Sequence, residues 1–145
     1  MNLSIADQKK YPNLTKYIKN QLIKVKGIPK ISNALLKNGE IKKKSLGVVL
    51  MWGTQPTINV VPMLKNQCGE FTPNSKSNEI RLSKSLVEEF EKSGGSKKVT
   101  LLLGASILHE LAHWGDDQDV IDIPGEEGNM FETAAYGMVI PCATK

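Results

Sequence analysis

The chain has 145 residues, 40 % of them hydrophobic and 23 % charged, a balance that suits one globular domain around a single core and argues against disorder. No apolar run approaches the roughly 18–20 residues of a membrane span, and residues 1–20 carry lysines without an apolar stretch, so no signal peptide is expected. The net charge of +4 is unevenly spread: residues 1–46 hold eleven lysines against Asp7 and Glu40, while Asp116, Asp117, Asp119, Asp122, Glu126 and Glu127 crowd the last third.

In chain order, Leu14, Tyr17, Ile18, Leu22 and Val25 recur at helical spacing, with Pro12 near the start and Gly27 and Pro29 beyond the end. Ile31, Ala34 and Leu35 predict a second, short helix stopped at Asn38-Gly39. Gly47-Val48-Val49-Leu50-Met51-Trp52 is a compact apolar run of strand length, and Thr57 to Val61 reads as another strand closed by Pro62. Residues 66–77, rich in Asn, Ser and Lys and containing Pro73, read as an exposed loop. Glu79-Ile80-Arg81-Leu82 alternates with period two. Ser83 to Lys92 then turns helical, with Leu86, Val87 and Phe90 on one side and Ser85-x-x-Glu88 as a capping box.

Ser93-Gly94-Gly95-Ser96 breaks the chain before a long segment from Lys97 to Trp114, dense in Leu, Ile and Ala, which reads as a buried helix. A last helix is expected from about Gly128 to Met138, with Glu126 and Glu127 at its positive N-terminal end and Pro141 after it. No repeat or linker divides the chain. The expectation is a single α+β domain over residues 1–145: a basic helical part at 1–46, then at 47–145 a small sheet, a central helix and a C-terminal helix. The lysines of residues 1–46 lack interleaved aromatic residues and a Gly-rich loop, so they are read as a solvated face rather than a nucleic-acid or lipid surface. Cys68 and Cys142 lie outside any C-x-x-C pair, which disfavours a cysteine-based zinc site and leaves a disulfide and two buried thiols equally consistent.

The informative stretch is His109-Glu110-Leu111-Ala112-His113. On a helix, His113 lies one turn beyond His109 and roughly 40° around it, so the two imidazoles can converge on one ion at zinc–nitrogen distances near 2 Å. Glu110 falls on the flank of that face, beside the place of a metal-bound water, while Leu111 and Ala112 point into the core. A zinc ion lowers the pKa of bound water to about 7, Glu110 is suited to take that proton and pass it to a leaving amine, and the ion stabilises the developing oxyanion. These are the only two histidines in the chain. Given two, the chance of this spacing with Glu after the first is roughly one in a thousand, and two imidazoles and a carboxylate in an apolar helix need a partner. The chemistry indicated is zinc-assisted hydrolysis of peptide bonds.

A catalytic zinc site ordinarily has three protein ligands. With no further histidine, the third is expected to be a carboxylate: Glu132, 19 residues after His113 on the last helix, where Phe131, Ala134 and Ala135 suggest partial burial. Asp119, six residues after His113, is the rival. It has the position of the third ligand in another class of zinc peptidases, but that class has glycine three residues after the second histidine, and here that residue is Asp116, with Gly115 one earlier. The acidic run Asp116, Asp117, Asp119 and Asp122 either orients a ligand imidazole or is solvated.

His109-Glu110-x-x-His113 followed by Glu132 resembles the gluzincin class of zinc metallopeptidases. More narrowly, His109 to Asp116 with Gly125-Glu126-Glu127-Gly128 and Phe131-Glu132 resembles the small metallopeptidase domains at the C-termini of bacterial polymorphic toxins, over roughly residues 78–140. The resemblance implies a minimal zincin-like fold with a small twisted sheet packed on the active-site helix, peptide or protein substrates, and a cognate immunity or inhibitor protein as partner. It also implies secretion or delivery as part of a larger bacterial protein. Many gluzincins have Asp four residues after the ligand Glu; here that residue is Tyr136, read either as an oxyanion donor or as a packing residue. Substrate in zincins lies along an edge strand, for which Glu79 to Leu82 is the candidate, against an interior strand with no substrate role. Trp114 is read as core rather than pocket. The competing functions are a zinc-containing interaction domain without catalysis, against which Glu110 stands, and a basic module binding nucleic acid or lipid.

Overall fold

The computed structural model describes residues 1–74, 78–118 and 124–144. Seven α-helices and a three-stranded sheet make up the described fold, in the order α1 (Ile5–Lys10), α2 (Pro12–Asn20), α3 (Pro29–Asn38), α4 (Lys43–Val49), β1 (Thr57–Val61), β2 (Gly69–Phe71), β3 (Glu79–Ser83), α5 (Lys84–Lys92), α6 (Lys97–Asp117) and α7 (Glu127–Tyr136). This is the expected α+β architecture: a small mixed sheet against the long helix α6, with helices from both ends of the chain completing the core.

Pro12 starts α2 at a position where the missing N–H costs nothing. Leu14 and Ile18 are buried on its inner face, and Leu22 and Val25 continue the stripe in a 3₁₀ turn, Leu22–Gly27, so the predicted first helix is two segments. Helix α3 follows the expectation and ends at Asn38 before Gly39. The run Gly47 to Trp52 does not form a strand: residues 43–49 are helical, because Leu46, Val49 and Leu50 are buried at helical spacing while Val48 and Met51 are exposed.

Strand β3 lies between the other two, parallel to β1 and antiparallel to β2, with Ile80 opposite Ile58 and Phe71, and Leu82 opposite Val60 and Gly69. The expectation that Glu79 to Leu82 is a sheet edge is therefore corrected. The edges are β1 and β2, the latter a short strand inside the polar stretch read as loop, whose residues 75–77 lie outside the described residues. One face of the sheet carries Ile58, Ile80 and Leu82, all fully buried. On the other face Arg81 pairs with Glu70 at 2.9 Å and Glu79 at 3.7 Å.

Ser83, not Ser85, precedes α5 as its N-cap residue, and no side chain caps that helix, so the Ser85–Glu88 capping box does not form. Helix α6 is the axis of the domain. Leu103, Ala105, Ile107, Leu108, Leu111 and Ala112 are buried along it. Its last turns abut the end of α3: a Cβ added at Gly115 would lie 2.1 Å from the Gly39 carbonyl oxygen, so the two backbones meet where only glycine fits. Helix α7 ends at Gly137, whose φ of 82° is the left-handed conformation of a helix stop. Cys68, just before β2, is disulfide-bonded to Cys142 in the C-terminal tail, which decides between the two cysteine readings.

Candidate active site

Leu108, Leu111 and Ala112 hold the inner face of α6 in the core, which turns His109 and His113 toward a cavity of about 680 Å³. The walls of the cavity come from three directions: Gly69, Glu70 and Phe71 of the edge strand, Asp116 and Asp117 at the end of α6, and Glu126 and Glu127 at the start of α7. The two imidazoles stand edge to face with ring centres 5.1 Å apart.

Each ring nitrogen faces a carboxylate. His109 Nδ1 is 2.6 Å from Glu132 Oε1 and His113 Nδ1 is 2.9 Å from Glu127 Oε2. An ionised carboxylate can only accept, so in the neutral tautomer that donates Nδ1–H to it each ring presents its Nε2 lone pair on the other side. Those two Nε2 atoms converge on one oxygen, Glu126 Oε1, at 3.3 Å from His109 and 2.5 Å from His113. Glu126 is itself fixed, because its other oxygen accepts the Asn129 N–H as the N-cap of α7. Three electron-pair donors aimed at one another repel unless a proton or a cation lies between them. Among the described residues, His109, His113 and Glu126 form the group that could hold a metal ion, their donor atoms all within 4.8 Å of one another. The donor set, two imidazoles and a carboxylate, suits zinc.

Burial alone would lower the His109 pKa. The hydrogen bond to Glu132 and the negative charges of Glu110, Glu126 and Glu132 outweigh it, and the net shift is upward. Glu110, only 6 % exposed, is pushed up to about 7 by desolvation, with the two histidines opposing the rise. Its carboxylate lies against the backbone of β2: a Cβ at Gly69 would be 2.7 Å from Glu110 Oε1. Gly128 does the same for His109, since a Cβ there would fall 2.2 Å from Nε2. Both positions need glycine because the functional side chain occupies the space of the missing methyl.

The sequence-predicted residues separate as follows. His109, Glu110 and His113 line the cavity together. Glu132 is buried behind His109, with Oε1 on its Nδ1 and Oε2 accepting the Ile140 N–H at 2.5 Å, and is not in the converging group. Tyr136 is directed elsewhere: its ring packs edge-on to Phe131 and lines a different, mainly apolar cleft with Tyr17 and Leu108. Burial drives its hydroxyl pKa up. Trp114 is partly buried and lines a third cleft, with Ile41 and Val49. Asp119 and Asp122 lie outside the described residues.

Glu126 and Glu127 were not singled out as site residues from sequence, where they read as favourable charges at a helix start and as part of the string that carried the resemblance. Their position opposite the histidines depends on how the chain returns between α6 and α7, and no periodicity encodes that. The one available signal was the Gly-Glu-Glu-Gly string itself, with Gly128 marking a close approach.

Residues 7–137 match the family described as metallopeptidase toxin 3. No curated protein and no solved structure matches the chain. The matched span runs from α1 through α7 and takes in every side chain around the converging nitrogens, and on that ground the chain belongs to the metallopeptidase toxin 3 family, a small metallopeptidase toxin domain for which a metal and a protein substrate are implied.

Proposed function

We propose that the protein is a zinc-dependent endopeptidase whose ion is held by His109 Nε2, His113 Nε2 and Glu126, with Glu110 as the general base. The observation that carries this is the pair of Nδ1–carboxylate contacts, with both Nε2 atoms converging on one oxygen of Glu126. In this reading Glu132 is a positioning residue for His109 instead of the third ligand, because both of its oxygens are already engaged. Zinc bound there supplies Lewis acidity, which makes water a stronger acid and draws electron density from a carbonyl oxygen.

The chain's own residues do the rest. Glu110, the residue after His109, lines the cavity with both histidines, where its carboxylate is suited to accept a proton from water and return it to a leaving amine. Desolvation by β2 keeps that carboxyl from resting in bulk water. The open edge of β2, which lines the cavity and has no strand on its outer side among the described residues, is the place where an extended peptide adds as a further strand. Glu110 also weighs against a purely structural zinc site, which has no use for a buried base beside its ligands.

The test is digestion of a generic unfolded protein by wild type and Glu110→Gln, with zinc stoichiometry on both. One zinc per chain in each, with cleavage reduced about 10²–10⁴-fold in the variant, is the expected result. Equal cleavage by both chains rejects Glu110 as the base. In parallel, Glu126→Gln should lose zinc outright, whereas Glu132→Gln should retain it with about 10–100-fold weaker affinity; the reverse order would return the third-ligand role to Glu132.

A further inference from the structure

We infer that the Cys68–Cys142 disulfide is a positioning device for the metal centre, so that ion binding is strong in the oxidised protein and weak in the reduced one. The inference rests on the zinc-site reading above and concerns residues outside the ligand set.

The disulfide joins two segments that each lead to the site. Cys68 is held by the sheet, its carbonyl accepting the Ser83 N–H at 2.9 Å, and the next residue is Gly69, whose backbone lies against Glu110. Cys142 is two residues beyond Ile140, whose N–H donates to Glu132 Oε2, while Glu132 Oε1 holds His109 Nδ1. A continuous path therefore runs from the sheet through the disulfide to the tail, to Glu132 and to the first histidine.

The tail follows the helix stop at Gly137, residues 138–144 form neither helix nor strand, and Met138 and Val139 are 54 % and 41 % exposed, while Ile140 and Cys142 pack against the core. Opening the bond removes the tail's covalent tie to the sheet and leaves the packing of Ile140 and its N–H bond to Glu132 to hold it. Once the Ile140 N–H leaves Glu132, that carboxylate loses the donor that fixes its rotamer, and His109 loses the geometry that aims Nε2. Loss of such an outer partner weakens metal binding by about 10–100-fold.

The experiment compares zinc affinity, by chelator competition at low temperature, in oxidised protein and in protein reduced with a water-soluble phosphine and blocked with iodoacetamide. In that reduction the disulfide gains two electrons and two protons to give two thiols while the phosphine becomes its oxide, taking oxygen from water. Cys68→Ser/Cys142→Ser repeats the comparison without reagents, and circular dichroism reports the fold. A loss of about tenfold or more with retained helicity is expected. Leu22→Ala, at a fully buried side chain of the 3₁₀ turn in the N-terminal part, serves as a control for general destabilisation and should leave zinc affinity unchanged.

A merely structural bond is separated by a cycle. If the disulfide acts through Glu132, Glu132→Gln weakens binding in the oxidised chain and adds little in the cysteine-free one; additive losses overturn the inference. Equal affinity of oxidised and reduced protein overturns it too and leaves the zinc-site reading standing. Unfolding of the chain on reduction at every temperature also overturns it, since the bond then serves the fold alone. An oxidised wild type that takes up no zinc removes both.

Discussion

Glu110 shows how far a single residue's environment departs from its identity. On sequence it is a charged side chain between two histidines; in the fold it is almost fully buried against the glycine of an edge strand, and desolvation raises its pKa from 4.5 to about 7. In the metal-free protein this sets a sign. The folded state binds more protons than the unfolded chain between pH 4.5 and 7, so this residue's contribution to stability falls as pH rises through that window, and the full cost persists above it. His109, also shifted upward, acts in the same direction, its contribution being lost as pH rises through its raised pKa. Glu110→Gln, measured by urea denaturation in chelator, should be more stable than wild type at pH 7.5 by at most about 3 kcal/mol, with the difference shrinking toward zero near pH 4.5. A difference that stays constant across that range would show that burial does not tune this carboxyl. That Glu110 lines the cavity beside the two histidines was legible from its position in the motif. The separate duties of Glu126, Glu127 and Glu132 were not, because three carboxylates within seven residues look alike until each is seen against a particular ring nitrogen.

At the scale of elements, the long strongly patterned segments were the readable ones. Helices α3 and α5 follow from apolar spacing on one buried face, α6 from a long apolar run that is buried nearly all round, and strands β1 and β3 from short β-branched or alternating runs. The failures are short. Helix α4 was read as a strand because six apolar or small residues in a row carry no period, and burial of Leu46, Val49 and Leu50 chose the helix. Strand β2 was read as loop because Gly69, Glu70 and Phe71 are too few to show alternation, and pairing with β3 alone makes them a strand. The meeting of α3 and α6 is another decision between elements. Gly115→Ala would drive a methyl into the Gly39 carbonyl oxygen and Ile41, neither of which can move without shifting a helix end. A loss of about 1–3 kcal/mol in urea midpoint analysis is expected, whereas a neutral result would mean that the helix ends separate freely.

At the scale of the whole molecule, the site is a junction. Its side chains come from α6 and α7, its wall from the edge of the sheet, and its outer support from a tail tied to that sheet by a disulfide. An ion that binds only the assembled junction must stabilise the fold as a unit. At zinc concentrations 100-fold above Kd the gain is about 2.7 kcal/mol, which for a chain of this size raises Tm by about 5–10 °C. Calorimetry with and without chelator should show that rise in wild type and none in Glu126→Gln. A wild-type Tm indifferent to zinc would mean that no ion is held at the junction. The basic N-terminal part supports the site only by packing: α2, the 3₁₀ turn and α3 contribute Leu14, Ile18, Leu22, Val25 and Leu35 to the core, and their lysines are exposed.

By itself the sequence determined the α+β class, the central helix and the triad His109, Glu110 and His113, because these depend on spacing along one helix, a local geometry that 3.6 residues per turn makes calculable. Tertiary structure alone decided that β3 is the central strand, that Cys68 meets Cys142, that Glu126 faces both Nε2 atoms while Glu127 and Glu132 hold the Nδ1 atoms, and that Tyr136 lines another cleft. Each of those is a contact between segments distant in the chain. Such contacts are set by how apolar faces close into one core, and not by any pattern within a segment.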